Sequence, residues 1–185
     1  MDRERIRRIV VEFLQAIGEN PDRPGLKRTP ERVARMCEEL FGGLDRDPKQ
    51  ELRLYTTKNE DEMILVKDIP FYSTCEHHLL PFFGKAHIAY IPKDNRIAGF
   101  SSFVKVIEAL ARRPQVQERL TTDIADLLVE ILNPLGVLVV IEAEHLCMTM
   151  RGVRKQGSLT VTSAMRGIMR KLSTRSEAFS LIKGE

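Results

Sequence analysis

Two short clusters of metal-ligating residues, Cys75-Glu76-His77-His78 and His145-Leu146-Cys147, stand far apart in the chain. A fold that brings them together pins one ion between two distant elements, and this requirement narrows the possible folds more than any other feature. Cysteine and histidine are the soft and borderline ligands that zinc prefers. Cys-x-x-His recurs by chance, but matched with His-x-Cys it gathers three of the four histidines and two of the three cysteines. The alternative is that Cys75 and Cys147 are small buried hydrophobes and the histidines are satisfied polar groups. A structural zinc would close its tetrahedron with Cys75, His78, His145 and Cys147, whereas a catalytic zinc keeps one position open to water. Five candidate groups are one more than a closed site needs. The surplus favours the open site, with imidazoles that titrate near neutral pH left over to move protons.

Composition limits the rest. A chain of 185 residues, 43% hydrophobic, can bury one sizeable core, preceded by a smaller helical part. The net charge of +3 gives no broad surface for nucleic acid. The opening Met1-Asp2-Arg3-Glu4-Arg5 is charged, and no apolar run of signal-peptide or membrane-span length follows. Three cysteines without a disulfide framework fit a reducing compartment, so the expected location is cytoplasmic, away from membranes.

In chain order, Ile6, Ile9, Val10, Phe13, Leu14 and Ile17 recur at helical spacing until Gly18. Thr29-Pro30 restarts a helix with Val33, Met36, Cys37, Leu40 and Phe41 inward, and a polar linker over 44–53 follows. The predicted division is a helical region with linker, 1–53, and a catalytic domain, 54–185. Strands are predicted at Met63–Val66 and Gly84–Ile91, with the Cys75 cluster on their connection. Helices are predicted over Ser101–Arg112 and from Pro114 to Ile131, then strands at Val137–Ala143, Leu146–Val153 and Leu159–Ala164, the last two joined at Gln156-Gly157. Such an order predicts an α+β fold, an antiparallel four-stranded sheet with two helices on one face. On an alternating strand His145, Cys147, Thr149 and Arg151 share a side. His87, alone in its strand, is read as structural or at the surface rather than as part of the site.

From Cys147 to Arg175 the chain carries Arg151, Arg154, Lys155, Arg166, Arg170, Lys171 and Arg175 and no acidic residue. Beside a metal cluster, such a run suits an anion with several charges, although it also suits a solvated strand edge. Ser101-Ser102 at a helix start adds backbone donors of the kind that receive phosphate, or are ordinary caps.

Three segments resemble the signatures of GTP cyclohydrolase I: Cys75-Glu76-His77-His78-Leu79-Leu80-Pro81-Phe82-Phe83-Gly84, Arg113-Pro114-Gln115-Val116-Gln117-Glu118-Arg119, and Glu144-His145-Leu146-Cys147-Met148-Thr149-Met150-Arg151-Gly152. Arg23-Pro24-Gly25-Leu26 and Thr29-Pro30-Glu31-Arg32-Val33 extend the resemblance to the N-terminal region. It implies the tunnelling fold (T-fold), in which sheets of several subunits close into a barrel, and a homodecamer of two stacked pentamers with active sites between subunits. It also implies zinc held by Cys75, His78 and Cys147. The implied reaction opens GTP at C8 of guanine, releases formate and rearranges to dihydroneopterin triphosphate, the first step of a folate or pterin pathway. His145 matches the proton donor to the purine and His77 the second catalytic histidine. Glu118 and Gln117 match substrate-binding positions, Glu118 at the guanine edge, while Ser101, Lys105 and Arg151 fall at triphosphate positions. Where many members have Ser-Lys with an arginine three residues on, this chain has Ser101-Ser102 and Lys105, so Lys105 with Arg154 or Lys85 is expected to supply the charge.

Overall fold

The structure, a computed structural model, describes residues 1–58 and 62–184. It divides into two compact units, residues 1–42 and the remainder from Gly43. In the first, α1 (Arg3–Ala16) starts where the Asp2 carboxylate accepts the Arg5 N–H at 2.9 Å, and α2 (Thr29–Leu40) starts with Pro30 in its first turn. Ion pairs Arg3–Glu38 and Arg7–Glu31 join the two helices. Leu14 and Ala34 are buried, but Ile9, Phe13, Ile17, Met36 and Leu40 are exposed. Of the predicted inner face of α2, Val33, Cys37 and Phe41 are partly buried, while Met36 and Leu40 are exposed.

The second unit is built on a five-stranded sheet of order β5-β2-β3-β6-β7, comprising β2 (Ile64–Cys75), β3 (Pro81–Ile91), β5 (Pro114–Gln115), β6 (Gly136–His145) and β7 (Thr160–Gly167). The α+β expectation holds, but the sheet has five strands rather than four. The added strand, β5, pairs in parallel with Thr74 and Cys75, whereas the other pairings are antiparallel. A second small sheet joins β1 (Leu54–Thr56) to β4 (Arg96–Ala98). Residues 44–53, read as a linker, belong to this unit and carry a short 3₁₀ turn over Pro48–Glu51.

One face of the sheet is covered by α3 (Phe100–Ala111) and α4 (Gln117–Leu132), both on the same side as expected. Phe103, Val106 and Ile107 of α3 and Leu120, Ile124 and Leu128 of α4 pack with Phe82, Ile88, Tyr90 and Ile141 at near-zero exposure. Each such side chain contributes about 1.5–3 kcal/mol on burial, which holds the start of α4 rigidly against β6 and β7. The opposite face packs Leu138, Val140 and Met169 against Ala178 of α6 (Leu172–Lys183), a helix not foreseen from the sequence.

Three predicted elements are corrected. β2 is far longer than Met63–Val66, because a bulge at Lys67-Asp68 breaks its alternation: the register shifts between Val66 and Ile69, and Asp68 has φ 59°. The predicted strand over Leu146–Val153 does not form. Instead Leu146–Thr149 make one helical turn, α5, because the neighbouring β3 runs out where Phe82 pairs His145, and β7 takes the other edge of β6. The helix predicted from Pro114 begins at Gln117, since Pro114 and Gln115 are pairing with β2.

The close fit of β3 to β6 depends on Gly84. A Cβ there would lie 1.9 Å from the Glu142 carbonyl oxygen. His87, three residues further along β3, is buried, takes the Asp68 N–H on Nδ1 at 3.2 Å and holds Nε2 3.2 Å from Glu142 Oε1. It ties the bulge down, as its structural reading required.

Candidate metal centre and nucleotide pocket

Cys75 ends β2, and the turn after it is closed by two backbone bonds, Leu79 N–H to the Cys75 carbonyl at 2.8 Å and Cys75 N–H to the Leu80 carbonyl at 2.9 Å. Leu79 adopts φ 54°, a left-handed conformation costly for a residue with a side chain and tolerated where the surroundings fix the turn. This tight turn points Nδ1 of both His77 and His78 to within 4.0 Å of Cys75 Sγ. The second cluster arrives on the end of β6 and on α5. The donor atoms of Cys75, His78 and Cys147 all lie within 4.8 Å of one another. Ligands 2.0–2.3 Å from a tetrahedral centre stand about 3.3–3.8 Å apart, so small side-chain rotations bring these three onto one ion. Two thiols and one imidazole suit zinc chemically.

Burial, with Cys75 alongside, pushes the Cys147 thiol above its usual range, and Arg151 opposes this. His145 is not one of the grouped donors. Its Nε2 lies 2.7 Å from Gln117 Oε1, and its ring stacks parallel on Phe82 at 4.6 Å between centroids. The donors that stand close enough to share an ion are therefore three, Cys75, His78 and Cys147, and His145 is engaged elsewhere. Burial lowers the His145 pKa, against an upward pull from the Glu118 carboxylate. A pocket beside the trio is lined by Cys75, His77, Gln117, Glu118, His145 and Cys147.

Other expected residues fall elsewhere. Ser101 and Lys105 sit at the beginning of α3, whereas its end adjoins the metal turn, where Ser73 Oγ donates to the Ala111 carbonyl at 2.7 Å. Ten residues of helix separate Ser101 from Ala111, about 15 Å at 1.5 Å per residue. Ser102 is buried, its Oγ accepts the Arg53 N–H at 3.1 Å and its own N–H donates to the Gly99 carbonyl at 2.9 Å, so its backbone donor is already used within the chain. Lys85 is paired with Asp68 at 2.9 Å. Thr149 is buried and Arg151 exposed, so the side shared by four residues does not exist; helical geometry scatters it. Of the basic run, Arg166 is paired with Asp126.

The sequence profile of GTP cyclohydrolase I matches residues 6–183 of the chain. The chain belongs to the GTP cyclohydrolase I family. The GTP cyclohydrolase 1 of Pelotomaculum thermopropionicum is 60% identical over 185 residues, covering 100% of this chain and 98% of that one. That of Carboxydothermus hydrogenoformans is 61% identical over 183 residues (98% and 95%), and that of Clostridioides difficile 60% identical over 184 residues (98% and 97%).

Sequence reasoning missed one contact of this GTP cyclohydrolase I family site that binds its two halves together. Both oxygens of Glu76 accept from Arg119, at 2.7 and 2.9 Å, and the Glu76 N–H donates to the Gln115 carbonyl at 3.0 Å. The Arg119 guanidinium holds the Glu76 carboxyl below the usual carboxylate range. The metal turn is thus clasped to the first turn of α4, which carries Gln117 and Glu118. Both partners lie inside signature segments, the only signal available beforehand.

Proposed function

We propose that this chain is a zinc-dependent GTP cyclohydrolase I: it hydrolyses GTP at C8 of guanine, releases formate and forms 7,8-dihydroneopterin triphosphate. The observation that carries this reading is the convergence of Cys75, His78 and Cys147 within 4.8 Å of one another, at the wall of a pocket that also holds His145 and Glu118. Bound there, zinc supplies a Lewis acid that lowers the pKa of a coordinated water to about 7.

The chain's own residues do the rest. The Glu118 carboxylate accepts hydrogen bonds from the guanine edge and so orients the base. His145, beside it, gives a proton to the purine nitrogen as the five-membered ring opens. His77, exposed on the metal turn, moves protons at the ribose during the rearrangement. Arg151 follows the metal-bearing turn α5 and meets the triphosphate. Ser101 and Lys105, at the other end of α3, meet the triphosphate bound by another copy of the chain, which makes the working enzyme a homo-oligomer, a decamer as in the family, with sites between subunits. The outer edge of β2 is paired only at Thr74 and Cys75 and that of β7 is unpaired among the described residues, and these edges supply the joints. No helix of the described residues is long and apolar enough to cross a membrane, and the thiolate ligands need a reducing setting, which the cytoplasm supplies. No nucleic-acid partner is proposed.

Incubation of the metal-loaded protein with GTP should give formate and, after oxidation, a fluorescent pterin, and a chelator should remove both. Formate production that survives complete removal of metal would end the proposal.

A further inference from the structure

The resemblance makes Gln117 a substrate contact, but its geometry leaves it nothing to offer a substrate. The side chain is 1% exposed. Its Nε2 donates to the carbonyls of Ile141 and Thr160, both at 2.9 Å, and lies 3.1 Å from Thr162 Oγ1. Thr121 Oγ1 donates to the Gln117 carbonyl at 2.7 Å, and the Thr162 hydroxyl, 2.6 Å away, donates to Thr121 in turn. Backbone carbonyls can only accept, so the amide has one possible orientation: its nitrogen faces β6 and β7, and its oxygen faces His145. Oε1 can also only accept. The hydrogen in the 2.7 Å contact therefore belongs to Nε2 of His145.

We infer that Gln117 is a positioning residue which, through Oε1, keeps a hydrogen on Nε2 of His145 and turns Nδ1 to the pocket as the nitrogen that gives its proton to substrate, the neutral Nε2–H tautomer being what remains after the transfer. Phe82 completes the clamp, since its ring lies parallel to the imidazole within 1° and blocks rotation about the ring plane. The backbone groups of two strands thereby set the direction of a proton transfer in the pocket. The side chain acts as a rigid relay from sheet to imidazole.

The inference rests on the reading that His145 transfers a proton, and the test separates the two. Gln117→Met keeps length and apolar packing but removes the acceptor. In the metal-loaded, assembled protein it should lower kcat by about 10–100-fold and change KM for GTP by less than about threefold, with metal content unchanged. On a His145→Ala background the same substitution should cost less than about twofold, because the residue it acts through is gone. A raised KM at unchanged kcat, or an undiminished loss in the double variant, would overturn the inference by showing Gln117 at the substrate. If His145→Ala alone keeps full activity, the proton-transfer reading fails and this inference with it; full activity in Gln117→Met beside a slow His145→Ala overturns only the positioning role. A tautomer measurement needs no variant at 117. In protein labelled with ¹⁵N-histidine, the His145 ring, assigned by its loss in His145→Ala, should show hydrogen on Nε2 at every pH at which the protein is folded, and a ring with hydrogen on Nδ1 and none on Nε2 overturns the inference directly.

Discussion

Cys147 shows how a single thiol is prepared for an ion. Its pKa is raised, chiefly by burial and then by Cys75, so the resting thiol keeps its proton at neutral pH. The ligand form is the thiolate, and an ion must displace that proton. Since a raised pKa favours the protonated form, affinity weakens as pH falls. Zinc added to metal-free protein should release about one to two protons per ion, read from calorimetry in buffers of different ionisation enthalpy, and Cys147→Ser should abolish uptake. Zinc binding without proton release would mean that the sulfurs are not the ligands. At this scale the sequence was informative about which residues gather, because two spaced clusters with soft ligands have few other uses. It left the fate of His145 open, because that is decided by Gln117, a residue on another element whose side chain is aimed by Ile141 and Thr160.

Among the elements, the decisive tie is between the metal turn and the start of α4. Glu76 and Arg119 are both partly exposed, so their pairing contributes little to global stability, but it fixes where His77 and His78 stand relative to Glu118. The Glu76 pKa is depressed, chiefly by its hydrogen bonds to Arg119. The tie is accordingly intact above the ordinary carboxyl pKa of about 4.3 and is lost only as pH falls through the lower folded value, so it is complete at neutral pH. Glu76→Gln should weaken metal retention in competition with a chelator by about 10-fold while the melting temperature barely moves; unchanged retention would show the clasp to be incidental. Elements whose periodicity was unbroken, α1, α3 and most of α4, could be read in advance. Where the reading failed, local pattern lost to pairing. The Asp68 bulge hid most of β2, and Leu146–Val153 alternates in sequence yet has no neighbouring strand to join. Helix α6 was missed because its apolar residues do not mark one clear stripe; only Ala178 is buried, with Phe179 and Ile182 partly so.

At the level of the whole molecule, the exposed surface has the character of something to be covered. Tyr72, Phe100, Val161 and Leu172 are each more than 60% exposed, and Phe13 of α1 is 60% exposed. Edge strands with open backbone groups are normally protected, and β7, with Val161 and the preceding Leu159 exposed, has a single neighbour among the described residues. In the proposed oligomer the start of one copy's α3 serves another copy's metal turn, because within one chain the two are separated by about 15 Å of helix. The proposed shared site has a consequence that no monomeric enzyme shares. Cys75→Ala should be inactive for want of metal, and a Ser101→Ala/Lys105→Ala variant should bind GTP poorly. When the two are unfolded together and reassembled in equal amounts, sites pairing an intact metal turn from one with an intact α3 start from the other should reappear. Random mixing makes about one site in four complete, because each half is drawn independently across a heterologous interface. Activity near that fraction of the native protein, absent when either variant is reassembled alone, is the expected result. If the mixture stays as inactive as its components, Ser101 and Lys105 do not serve a neighbouring copy, and the triphosphate must be held by Arg151 and the basic residues that follow it on the same chain.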